Sequence, residues 1–160
     1  MTYTLAGELP ELTAAIEELR KLGRADGIEF DTANFGGVRS EADTVKILKY
    51  RDDDYAVYVR NLATSHPDRV PVAKEMWRPI APFGSSFHNW GAARDVKIIQ
   101  RPASFSEAEA LRRLGSYATE CGLTWGGTFK RKVDPPHFQL NCTLAEAQAK
   151  WHAAHPPAAE

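Results

Sequence analysis

Apolar positions recur with a helical period early in the chain. In ELPELTAAIEELRKLGRADG, Leu12, Ile16 and Leu19 share one face, Pro10 lies near the start, and Gly23 stands where a helix would end. SEADTVKILKYRDDDYAVYVRNLAT follows, with Val45, Leu48, Ala56, Val59 and Leu62 at spacings that suit a helix broken near Arg51 to Asp54. The four prolines between Ser65 and Ser86 predict a long surface loop. The pattern then changes to period two. ARDVKIIQR predicts a strand with Val96 and Ile98 on one face and Ala93, Asp95 and Ile99 on the other. SFSEAEALRRLGSYATECG predicts a helix with Ser106 as N-cap, Glu109 closing a capping box and Gly122 as the stop. Two short strands, LTWGG and PHFQLN, flank the basic turn TFKRKVD, and Thr143 with Glu146 caps a last helix, LAEAQAKWHAA. Helices and strands do not alternate as in a βαβ protein. The expected class is α+β, with a small, mostly antiparallel sheet flanked by helices.

Composition narrows this picture. The 160 residues, 43% of them hydrophobic, fit one domain over residues 1–152, with a disordered Pro/Ala tail at 153–160. A net charge of −1 with scattered basic residues argues against a nucleic-acid partner. No apolar run approaches the roughly 20 residues that span a bilayer, and MTYTLAGELPEL lacks a signal-peptide pattern, so cytoplasmic synthesis is expected, without a membrane partner. Cys121 and Cys142 are too few for a disulfide framework and are expected as reduced thiols.

Chemistry concentrates in two stretches. In SFHNWGAARD, His88 precedes Asp95 by seven residues, and a turn at Gly91 leading into the strand could fold the histidine back beside the aspartate. In VDPPHFQL, the prolines stiffen the chain. A polyproline path would point Asp134 and His137 the same way, with Cα atoms roughly 9 Å apart. Catalytic zinc takes three protein ligands and leaves a position for water. His88, Asp95 and His137 can supply that set, leaving Asp134 as a free carboxylate to take a proton from water attacking a carbonyl. On chemistry alone, a structural role for the same His and Asp residues stays open. His66, His152 and His155 read as solvated, Arg94 as a structural residue on the opposite strand face, and Cys142 as superfluous to a three-ligand site.

The two stretches also match a family pattern. Ser86, His88, Gly91, Ala93 and Asp95 spell S-x-H-x-x-G-x-A-x-D, and Trp125, Gly126 and Gly127 followed by Asp134, His137, Phe138 and Gln139 spell W-G-G then D-x-x-H-F-Q. In this the chain resembles the M15 zinc peptidases, the D-alanyl-D-alanine carboxypeptidases and L-alanyl-D-glutamate endopeptidases that include many phage endolysins and share a fold with the hedgehog domain. The resemblance implies zinc ligands His88, Asp95 and His137, Asp134 as general base, and Ser86 and Trp125 beside the substrate. It also implies an upstream arginine that stabilises the oxyanion or grips a carboxylate. GGVRS makes this Arg39, with Arg51 of KYRDDD as competitor. The expected activity is zinc-dependent hydrolysis of an amide bond in the peptidoglycan stem peptide by a monomeric endolysin-like endopeptidase, possessing no secretion signal and released to the wall on lysis. The alternatives are a D,D-carboxypeptidase or dipeptidase of wall peptides, and a non-catalytic zinc-stabilised binding module.

Overall fold

The computed structural model describes residues 7–33, 36–40, 42–43 and 85–156. Contacts divide the chain into two units, Met1–Arg39 with Gly84–Glu160, and Ser40–Phe83. In the second, Ser40 and Asp43 accept hydrogen bonds from each other's backbone N–H at 3.1 Å. The helix expected beyond Thr44, most of the proline-rich loop and Arg51 lie outside the described residues.

The first unit is α+β. Its described elements are α1 (Pro10–Ala25), β1 (Glu29–Thr32), β2 (Ala93–Gln100), α2 (Glu107–Ser116), β3 (Leu123–Trp125), β4 (His137–Leu140) and α3 (Leu144–Ala154), with short 3-10 turns at Phe87–Trp90, Thr119–Cys121 and Gly126–Thr128. The strands form one antiparallel sheet in the order β1-β2-β4-β3. Leu12, Ile16 and Leu19 of α1, Leu111 and Leu114 of α2, and Phe30, Val96, Leu123 and Phe138 of the strands form one buried core. No described helix is long and apolar enough to cross a membrane.

Local chemistry accounts for most boundaries. Ser106 accepts from the Glu109 backbone N–H to start α2, and Thr143 with Glu146 makes a complete capping box for α3. Gly122 sits in the left-handed region after the 3-10 turn that follows α2, so α2 itself stops earlier, at Ser116. Gly23 does not end α1, which runs on to Ala25. A Cβ at Gly23 would lie 2.8 Å from Leu114 Cδ2, so its role is close helix packing, and Gly27, at φ +76°, makes the turn into β1. β1 was not anticipated: four residues with Phe30 as the one buried apolar side chain, paired to β2 across a register shift, leave little period to read.

β2 and β4 pair with Asp95 opposite His137 and Arg94 opposite Phe138. Directly opposed residues share a face, and neighbours along a strand alternate. One face therefore carries Phe138 and Arg94 into the interior, and the other presents Asp95 and His137. Arg94 donates from Nε and from a terminal nitrogen to the two Glu8 oxygens, both at 2.6 Å, and both side chains are buried. Arg94 is thus structural, as strand alternation predicts.

Candidate metal centre

The loop before β2 turns back as expected. Ser86 accepts from His88 N–H, and its own N–H donates to Asn89 Oδ1, a capping box around the 3-10 turn Phe87–Trp90. Gly91 leaves the turn in the left-handed region at φ +64°, and a Cβ there would stand 2.4 Å from the Gly7 carbonyl oxygen. Ser86 therefore acts on the backbone that carries His88. Asp95 is fixed by its backbone: its N–H donates to Gly36 O at 2.7 Å and its carbonyl accepts from Ala33 N–H at 2.9 Å.

The third segment differs from the extended path expected of it. His137 N–H bonds back to Asp134 O at 3.0 Å, closing a turn over Pro135 and Pro136, and such a turn holds its end Cα atoms within about 7 Å rather than 9 Å. Asp134 N–H is held by Gly126 O at 3.0 Å. A Cβ at Gly126 would come within 2.2 Å of Asp134 O and 2.9 Å of His137 Cβ, so this close approach requires glycine. Trp125 braces the turn through Nε1–H to Pro135 O at 2.6 Å. It also lines a groove of about 570 Å³ with Glu107, Arg112, Val133 and Pro136, which His88, Asp95 and His137 do not line.

His88, Asp95 and His137 come together. Each offers a ligand atom, and these lie within 4.8 Å of one another. Asp95 Oδ1 is 3.4 Å from His88 Nε2 and 3.2 Å from His137 Nδ1. Ligand atoms about 2.0–2.2 Å from one tetrahedral zinc ion are about 3.3–3.6 Å apart, so these separations fit a shared ion. The rings meet edge to face with centroids 5.1 Å apart. His88 Nδ1 donates to Gly37 O at 3.0 Å, because a carbonyl only accepts, which leaves the Nε2 lone pair for a metal.

Two further side chains enter the centre. Arg39 donates to Asp95 Oδ2 at 3.0 Å, and its backbone is clamped by His88 O and by the Asn89 side-chain amide. Phe129, which sequence reasoning passed over, stacks obliquely on His137 with centroids 5.7 Å apart. A lone aromatic in a basic turn gives no signal of that contact.

The electrostatics separate the carboxylates. Burial acts to raise the Asp95 pKa, but hydrogen bonds from His137 and His88 outweigh it and hold the group well below the usual range. Asp134 moves upward, first by desolvation of its carboxyl although the residue is exposed, then by the charge of Asp95; His137, His88 and Arg39 oppose the shift. Burial works against protonation of His137, yet the hydrogen bonds its ring donates to Asp95 and Gln139 prevail and raise its pKa. Desolvation raises both cysteine thiols, which are free and half-buried.

Two histidines and a carboxylate on one point, with a further carboxylate beside them, define a metallohydrolase type of centre. Residues 81–140, which contain all four groups, match the family model described as D-alanyl-D-alanine carboxypeptidase. The fold is shared with a mutant of the vancomycin-resistance D,D-pentapeptidase VanY from a VanB-type resistance cassette, solved in complex with Zn(II). That structure is 20% identical, with 89% of this chain and 77% of that chain covered and a TM-score of 0.57. The Serratia marcescens L-Ala D-Glu endopeptidase ChiX is 24% identical over 89% of this chain and 86% of its own, at a TM-score of 0.43. No curated protein matches the chain. Over that segment the chain is similar to the M15 peptidases, the family whose pattern its two motifs resemble.

Proposed function

We propose that this peptidase acts on peptidoglycan, as a monomeric, endolysin-like L-alanyl-D-glutamate endopeptidase that cleaves the stem peptide and reaches the wall on lysis. The observation that carries the reading is the convergence of His88 Nε2, Asp95 Oδ1 and His137 Nδ1 beside a second carboxylate, that of Asp134, raised in pKa. His88, Asp95 and His137 would hold zinc, which when bound would supply Lewis acidity to bring the pKa of water toward about 7 and to polarise an amide carbonyl. Asp134 is the base: its carboxylate takes the proton as water attacks the carbonyl carbon, and returns it to the nitrogen as the C–N bond breaks. A raised pKa suits it to both transfers. Arg39 holds Asp95 Oδ2, leaving Oδ1 facing the two histidine nitrogens. Phe129 packs against the His137 ring at the edge of the site.

A D,D-carboxypeptidase is the second reading, favoured by the description of the matching family. It needs a cation for the free terminal carboxylate of its substrate, and Arg39, the described candidate, is already engaged with Asp95. Asp134→Asn should retain zinc and lose about 10²–10⁴-fold in wall hydrolysis; unimpaired hydrolysis would remove Asp134 from the mechanism. Mass spectrometry of digested peptidoglycan separates the readings, since release of D-alanine alone means a carboxypeptidase and cleavage after L-alanine an endopeptidase.

A further inference from the structure

We propose that Gln139 is a positioning residue that sets the tautomer of His137 and so makes its Nδ1 available to the metal. The two histidines face Asp95 through different nitrogens, His88 through Nε2 and His137 through Nδ1. To ligate a metal through these nitrogens, each must carry its proton on the other nitrogen, and each needs an acceptor there. For His88 the backbone serves, through Gly37 O. For His137 the acceptor is a side chain: Gln139 Oε1 lies 2.8 Å from Nε2. Gln139 stands two residues along β4 from His137, hence on the same face, in register between Ala93 and Thr124 on the neighbouring strands.

The chemistry is directional. A neutral imidazole has one N–H and one lone pair, and a metal takes only the lone pair. With Oε1 accepting from Nε2–H, the Nδ1 lone pair points to the side where Asp95 Oδ1 lies. The reverse pairing, with the amide NH2 donating to Nε2, would put the proton on Nδ1 and block ligation. Groups that orient a metal-bound imidazole in this way typically govern metal affinity by about 10–100-fold. The inference rests on the metal-site reading but not on any peptidase activity.

Two variants of the full chain decide it. Gln139→Met keeps the length of the side chain and removes the acceptor; Gln139→Glu keeps an acceptor and cannot donate when ionised. Zinc affinity, measured by competition with a chromophoric chelator, is expected to fall about 10-fold or more in the methionine variant and to stay at or above wild type in the glutamate variant. In the zinc-loaded protein, NMR should find the His137 Nε2–H proton protected from exchange in wild type and exchanging rapidly in Gln139→Met. Equal affinity of Gln139→Met and wild type overturns the inference, as does an equal loss in both variants, which would mean simple packing. A wild-type chain that takes up no zinc instead overturns the metal-site reading itself. Thermal unfolding of each variant identifies a loss of affinity that comes from misfolding.

Discussion

Arg94 and Asp95 are neighbours on one strand, and each is the centre of a cluster on its own face of the sheet. Arg94 meets Glu8 through two short hydrogen bonds, and Thr13 completes the carboxylate, so that charge and hydrogen-bonding capacity are matched within the protein. Around Asp95, two histidine nitrogens and a carboxylate oxygen turn toward one another. Their outer sides are tied to Gly37, Gln139 and Arg39. Both clusters are polar and largely enclosed. What separates a structural ion pair from a metal centre is therefore donor–acceptor bookkeeping, since lone pairs that converge from several groups ask for a cation.

Asp95→Ala should break the comparison most strongly, by reducing zinc-dependent wall hydrolysis to background and removing the thermal stabilisation that added zinc gives. For the wild type, that stabilisation is about 2.7 kcal/mol at a hundredfold excess over Kd. A variant still stabilised by zinc would dissolve the distinction between the two faces. On the other face, Glu8→Ala strands a buried guanidinium and should cost about 3–5 kcal/mol in urea unfolding. A Glu8→Leu/Arg94→Met double variant should recover much of that loss, because apolar replacement of a buried pair is often neutral or better.

Acidity sharpens the contrast further. In the metal-free protein, the depressed Asp95 pKa contributes stability above about pH 4 that is lost as pH falls through the lower folded value. The raised His137 pKa contributes below about pH 6.5 and is lost as pH rises through the higher folded value. Metal-free stability from this cluster should therefore be greatest between about pH 4 and 6.5. Zinc should shift the optimum upward, because the ion takes the deprotonated ring; unfolding curves across pH with and without zinc would expose a cluster that does neither. The smallest effect is expected at the surface pair of Asp26 with Arg113. Hydrogen bonds from Arg113 and Tyr117 lower the Asp26 pKa, so Asp26→Asn should shift Tm slightly at neutral pH and not at all once Asp26 is protonated in strong acid.

The site residues differ in how far they could be read from sequence. His88, Asp95, Asp134 and His137 stand in two short motifs whose spacing survives folding. The hold of Arg39 on Asp95 joins residues 56 apart and leaves no local pattern. Glu8, in a polar leader before a helix, looks like a solvated acid, yet its side chain is fully buried against Arg94, 86 residues away. The prolines after Asp134 suggested extension because each restricts its predecessor, whereas Gly126, by letting two backbones touch, allows the turn to close. Gln139 belongs to the recognised motif, but its task depends on which nitrogen of His137 faces Asp95, and only the strand register decides that.

The pairing of Asp95 with His137 also sets when the centre can exist. These residues lie 42 apart in the chain, and Gly37 lies 51 from His88, so the ligands meet only after the central strands have paired and large loops have closed. Contacts of such long range tend to consolidate late along the folding route. Zinc should therefore act chiefly as a brake on escape from the native state, lengthening its lifetime while leaving the rate of refolding nearly unchanged.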